Sequence, residues 1–240
     1  MIPRVITIDG PAGVGKTSLA ERLAERLGYH VYDTGALYRA ATLLAVRAGL
    51  AAVGSNIAVE AEIVRLIIAA RIHVGPPQDA TSEPVVTIND EDVTSDLRSP
   101  VVNGLVSAVS QLPGVRDALL AVQRQAAAVG GVIMVGRDMG TVVVPDADLK
   151  IYLDADPRVR AERRARQLAA RGRPRPIGDI VCEEAERDRL DSSRIVAPLR
   201  PAPDAIIIIN DTLTPEEVAE RALHEVEKAT ARSSAGGERS

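Results

Sequence analysis

Gly10-Pro11-Ala12-Gly13-Val14-Gly15-Lys16-Thr17 lies between the apolar run Val5-Ile6-Thr7-Ile8 and an amphipathic stretch that begins near Lys16. The spacing is G-x-x-x-x-G-K-T, placed after a strand and before a helix. Glycines at both ends let the chain turn tightly, so that successive backbone N–H groups face a polyphosphate at the positive end of the helix. In that setting Lys16 reaches the β- and γ-phosphates and the Thr17 hydroxyl takes Mg2+. Without its flanks the spelling is only a glycine turn; the strand and the helix decide for a nucleotide.

Working outward, apolar runs at 4–8, 30–32, 132–135, 149–153 and 205–209 alternate with helical stretches. This predicts an α/β fold with a five-stranded parallel sheet and helices on both faces. Gly28 and Gly49 mark helix ends, and Asp156-Pro157 marks a helix start. From about 50 to 112 the pattern changes. A helix over Ile57 to Ala70 precedes Arg71 to Val74, a Gly-Pro-Pro turn and Val85-Val86-Thr87-Ile88, and Ser99-Pro100 opens another helix. The bend Asn89-Asp90-Glu91-Asp92 lacks the spacing and terminal Glu of an EF-hand loop and reads as a hairpin turn. The organisation expected is one domain over 1–230, with a core of 1–50, 113–155 and 198–230. A small β-containing insertion covers 51–112, an Arg-rich lid covers 156–197, and a polar, Gly/Ser-rich stretch over 231–240 is a disordered tail.

Composition removes several classes. A net charge of −4 argues against a general nucleic-acid binder, and with no Phe, no Trp and four Tyr there is no aromatic platform for single strands. The lone Cys182 excludes an intramolecular disulfide, is compatible with a reducing compartment and is read as a structural residue. His30, His73 and His224 are scattered and make no metal cluster. No signal peptide or membrane span is legible, and Ala205 to Ile209 reads as a buried strand. A cytoplasmic monomer is expected.

Three further segments carry chemistry. Asp33-Thr34-Gly35-Ala36-Leu37-Tyr38-Arg39 follows the second strand and Gly136-Arg137-Asp138-Met139-Gly140 the third, so each falls at a strand's carboxyl end, where open α/β sheets bind ligands. Arg39 and Arg137 are candidates for a second anion. The plainer readings are that Asp33-Thr34 caps a helix and Arg137-Asp138 pair locally. Residues 158–175 hold Arg158, Arg160, Arg163, Arg164, Arg166, Arg171, Arg173 and Arg175 against the single acid Glu162, a positive excess that suits a polyphosphate clamp. Arg187, Asp191 and Arg194 fall at i, i+4 and i+7, either a ligand-binding helix face or a surface ion-pair ladder.

Together these motifs resemble the bacterial cytidylate kinases, a nucleoside monophosphate kinase group with the P-loop NTPase fold. The matching stretches are Ile8 to Thr17, Asp33 to Arg39, Gly136 to Ala147 and Arg187 to Arg194, followed by Val196-Ala197-Pro198-Leu199. The resemblance implies transfer of the ATP γ-phosphoryl group, with Mg2+, to CMP or dCMP in pyrimidine nucleotide metabolism. By it, Gly10, Pro11, Ala12, Gly13, Val14, Gly15, Lys16, Thr17 and Ser18 bind ATP, Thr17 holds the metal, and Lys16, Arg137 and Arg164 are catalytic. Arg39 and Arg137 bind the acceptor phosphate; Thr34, Arg116, Asp138 and Arg194 read cytosine; Ser107, Arg187 and Asp191 touch the sugar; Tyr38 belongs to the same acceptor site. Asp9 and Asp33 either orient Mg2+ through water or tie down their loops. The alternatives are a P-loop kinase for UMP, AMP or shikimate, and a hydrolytic switch or motor, against which the chain has no N-K-x-D motif.

Overall fold

The computed structural model describes residues 2–50, 57–77, 84–170, 172–194 and 196–236. Arg171 of the arginine run and the end of the expected tail, 237–240, lie outside them. The chain divides into two compact units, Met1–Val31 with Gly130–Ser240, and Tyr32–Val129.

The first unit starts with β1 (Val5–Asp9), α1 (Lys16–Leu27) and the opening half of β2 (His30–Asp33). The second unit then runs through α2 (Thr34–Arg47), α3 (Ile57–Ala69), β3 (Ile72–Pro77), β4 (Pro84–Ile88), β5 (Glu91–Asp92), α4 (Pro100–Val109) and α5 (Pro113–Val129). The chain returns to the first unit with β6 (Val132–Val135), a π-helical turn (Met139–Val143), β7 (Leu149–Asp154), α6 (Pro157–Ala170), α7 (Ile177–Ser192), β8 (Ile206–Ile209) and α8 (Pro215–Gly236).

In the first unit the strands lie in the order β2-β6-β1-β7-β8. β1 pairs in parallel with β6 and β7, and β7 with β8. Strand alternation sorts the side chains. Ile6, Ile8, Ile133, Val135, Ile151, Leu153 and Ile208 point to one face, where Leu19 and Leu23 of α1 and Val218 and Ala222 of α8 cover them. Each large aliphatic side chain buried there contributes roughly 1.5–3 kcal/mol. The other face carries Thr7, Asp9, Lys150 and Tyr152 and meets the π-helical turn, where Gly140 sits so close that a Cβ would stand 2.9 Å from Thr7 Oγ1.

Helix ends follow local rules. α1 begins after Gly15 (φ 102°) and stops at Gly28 (φ 69°), whose N–H returns to the Ala24 carbonyl. α4 starts at Pro100 with Ser99 accepting from Val102 N–H. Asn89 and Asp90, at φ 52° and 69°, form the two-residue turn between β4 and β5, so the acidic bend is a hairpin turn.

Three expectations are corrected. β8 is an edge strand, with Ile208 buried but Ile207 56% and Ile209 51% exposed, because its outer face has no covering layer among the described residues. α8 continues through Gly236, so residues 231–236 are helical and the tail does not begin at 231. The second unit exceeds the insertion expected over 51–112: α2 and α5 join α3 and α4 in one core around Leu37, Ala41, Ile63, Ile67, Val106, Val109, Val115 and Leu119.

Candidate active site

The glycine loop is shaped by what holds its carbonyls. Lys16 Nζ donates to the Gly10 and Pro11 carbonyls at 2.8 and 2.6 Å, Arg160 Nη1 to the Ala12 carbonyl at 3.1 Å, and Asn210 Nδ2 to the Val14 carbonyl at 3.0 Å. Gly10, Gly13 and Gly15 all take positive φ, which bends the chain around a concavity. With these carbonyls anchored to protein donors and no side-chain cap on α1, the loop and the helix start are shaped to turn backbone N–H groups toward an anion. A polyphosphate fits this donor set. The half-buried Thr17 hydroxyl on the first turn suits a magnesium ion next to it. Arg160 and Asn210 are functional supports whose role in the loop the sequence did not reveal. Asn210 had one signal, the first polar residue after a four-isoleucine strand.

Asp9, at the end of β1, is buried, and its two oxygens accept from Met139 and Gly140 N–H at 2.9 and 2.8 Å. Burial pushes its carboxyl up to about 6 against those two bonds, with the Asp138 charge adding to the rise and Lys16 opposing it. Asp9 thus ties the Arg137-Asp138 loop to the strand that feeds the P-loop. Asp33 accepts from Gly35 N–H at 2.8 Å as the N-cap of α2, the capping role considered for it.

Arg137 does not pair with its neighbour Asp138. Its Nε reaches Asp191 Oδ2 at 2.9 Å, while Arg194 Nη2 pairs with Asp191 Oδ1. α7 ends at Ser192, so Arg194 meets Asp191 from beyond the helix. The surface-ladder reading fails because Asp191 is buried. Burial alone would raise its carboxyl; Arg137 and Arg194 outweigh that and hold it below the usual carboxylate range. Arg187, half-buried, is held below its ordinary value by burial first and by repulsion from Arg137 second. Two crowded guanidinium groups in a partly desolvated place make a ready site for an anion.

In the second unit Thr34 is buried in the first turn of α2, and Arg116 lies over the Tyr38 ring with its guanidinium carbon 5.4 Å from the centroid. Arg116 Nη1 also donates to the Ser110 carbonyl at 3.1 Å. Arg39 Nη1 donates to the Leu97 carbonyl at 3.0 Å and to Asn103 Oδ1 at 2.7 Å. Ser107 sits in α4, where its carbonyl accepts from Ser110 Oγ and Gln111 Nε2. Thr34, Tyr38, Arg39, Ser107 and Arg116 therefore belong to one unit, and Arg137, Asp138, Arg187, Asp191 and Arg194 to the other.

The arginine run divides by environment. Arg160 is buried; Arg163 Nη2 donates to the Asn210 carbonyl at 2.8 Å; Arg175 pairs with Glu183 at 2.6 Å. Among the described residues, the side chains of Arg158, Arg164, Arg166 and Arg173 make no hydrogen bond or ion pair. Cys182 is exposed on α7, which removes its structural reading. His30, His73 and His224 are exposed, and no His, Cys, Asp and Glu group able to hold a metal occurs among the described residues. No single described helix is long and apolar enough to cross a membrane.

Comparison with known proteins gives consistent results. A solved structure of an uncharacterized protein from Eubacterium ventriosum is similar in fold, with a TM-score of 0.51 at 11% identity over 93% of this chain and 98% of its own. A cytidylate kinase of Pelotomaculum thermopropionicum is 46% identical over 213 residues, 89% of this chain and 91% of its own, and one of Nocardia farcinica is 44% identical over 90% of each. The cytidylate kinase family model matches residues 6–228. With a phosphate loop, a buried arginine–aspartate cluster and a family match across most of its length, this chain belongs to the cytidylate kinase family.

Proposed function

We propose that the chain transfers the γ-phosphoryl group of ATP to CMP or dCMP, giving ADP and the corresponding diphosphate, and that it does so with Mg2+ as a cytoplasmic monomer. The observation that carries this reading is the P-loop whose carbonyls at Gly10, Pro11, Ala12 and Val14 are all held by side-chain donors. Family membership supplies the acceptor class.

Residues 10–18 hold the ATP phosphates, and Thr17 holds the metal. When bound, Mg2+ neutralises charge on the β- and γ-phosphate oxygens. Arg39 and Arg137 bind the acceptor phosphate. Its attacking oxygen is already anionic at neutral pH, so no side chain has to act as a covalent nucleophile. Lys16 and the lid arginines, Arg164 among them, offset charge that spreads over the transferred group. Ser107, Arg187 and Asp191 hold the sugar, and Tyr38 supports Arg116 beneath the base. Thr34, Arg116, Asp138 and Arg194 read cytosine: a carboxylate and a hydroxyl suit its amino donor, and guanidinium groups suit N3 and O2. Uracil would set O4 against the Asp138 carboxylate with no proton between them.

The test is ADP formation from MgATP with CMP, dCMP, UMP, AMP, dTMP or shikimate, beside a reaction without acceptor. Turnover with CMP and dCMP, lost in Lys16→Ala, is the expected outcome. Preference for another acceptor, or hydrolysis without one, would reject the acceptor assignment.

A further inference from the structure

Arg160 lies in a run that reads as a phosphate clamp, yet its guanidinium already has three directed partners. It is 3% exposed. Nε donates to the Ala155 carbonyl at 3.1 Å, Nη1 to the Ala12 carbonyl at 3.1 Å, and Nη2 pairs with Asp188 Oδ2 at 2.6 Å. The next loop residue, Gly13, packs against it so closely that a Cβ would stand 3.4 Å from Arg160 Cβ. Asp188 is the neighbour of Arg187 on α7 and lies three residues before Asp191, and its second oxygen, Oδ1, is buried without a hydrogen-bond partner.

A buried ion pair is weak evidence for stability, because desolvation offsets much of its attraction, and an unsatisfied carboxylate oxygen adds to the cost. Geometry gives this pair another use. Arg's planar fork fixes direction as well as distance, so a displacement of the Ala12 carbonyl is passed to Asp188 and the helix that bears it. The same helix positions Arg187 and Asp191.

We propose that Arg160 and Asp188 form a strut that couples occupation of the P-loop to the acceptor-binding residues of α7, making binding of ATP and CMP cooperative. This rests on the kinase reading above. Arg160 is then a positioning residue, not a clamp residue: it acts through Ala12 on one side and Asp188 on the other.

The experiment is calorimetric titration of CMP with and without a saturating non-hydrolysable ATP analogue, on wild type, Asp188→Asn and Arg160→Lys. Asp188→Asn keeps size and one acceptor oxygen; Arg160→Lys keeps the charge and loses the fork. Wild type is expected to bind CMP at least about 5-fold more tightly when the analogue is present, within the usual range of coupling. Both variants should reduce that factor to below about 2-fold while Asp188→Asn leaves the Kd of the analogue alone within about 2-fold. Equal coupling in wild type and Asp188→Asn, or no coupling in wild type, overturns the strut. So does a loss of analogue binding in Arg160→Lys with coupling intact in Asp188→Asn, which would make Arg160 a phosphate contact. Wild type that binds the analogue but no CMP would instead reject the acceptor assignment, and the strut with it.

Discussion

At the residue scale, a single carboxylate illustrates how burial and function meet. Asp9 titrates at about 6, above the 3.8 of an exposed aspartate. Between those values the folded chain keeps a proton that the unfolded chain has released, so stability falls as pH rises from about 4 to 6, and the whole cost is present above 6. Asp9→Asn removes the charge but loses one of the oxygens that accept from Met139 and Gly140. Its melting temperature relative to wild type should therefore improve from about pH 4 to about pH 6 and level off above that; a difference that stays flat throughout would show that Asp9 is not raised. Asp138→Ala should narrow the preference for CMP over UMP by roughly 5- to 150-fold, the equivalent of the roughly 1–3 kcal/mol at stake in an unmatched buried polar group. An unchanged ratio of the two kcat/KM values would take base reading away from Asp138.

At the element scale, Gly10 at the end of β1 and Gly28 at the end of α1 separate a glycine needed for space from one needed only for conformation. At Gly10 a Cβ would meet the Leu153 carbonyl oxygen at 2.0 Å, and that oxygen belongs to the backbone of β7. Gly28 has a left-handed φ of 69° with nothing within 4 Å. Gly10→Ala should cost more than about 3 kcal/mol, through a clash that neither strand can relieve. Gly28→Ala should cost about 1–2 kcal/mol, the conformational term alone. Denaturant midpoints of the two variants check the order, and equal losses would contradict it. Such junctions were legible from sequence because they are local: Gly28, Ser99-Pro100, Asp156-Pro157 and the phosphate loop each announce a strand or helix end within a few residues. β8 was not. A run of isoleucines looks the same in the middle of a sheet as at its rim, and only the strand order exposes Ile207 and Ile209. Arg160, Asp188 and Asn210 escaped notice as parts of the loop because their partners lie far away in the chain, and the charge pattern of 158–175 hides Arg160, the one buried arginine among the described residues of that run, beside neighbours that are exposed or half-buried.

For the whole molecule, ligand binding should register as stability. A non-hydrolysable ATP analogue at 100 times its Kd adds about 2.7 kcal/mol, which for a chain of this size is a rise of roughly 5–10 °C in melting temperature. Lys16→Ala should lose the rise, and a full rise in that variant would place the analogue elsewhere. The division of the chain also bears on how it is made. Residues 32–129 form one unbroken unit, whereas the other unit joins Met1–Val31 to Gly130–Ser240. During synthesis the contiguous unit can fold as it emerges, while β1 waits with its isoleucines unpaired until β6 and β7 follow more than a hundred residues later. The nucleotide loop gains a last support only when Asn210, 196 residues beyond Val14, has been made. A nascent polypeptide thus acquires ATP affinity only after Asn210 has emerged, and until then β1 is a natural client for chaperones.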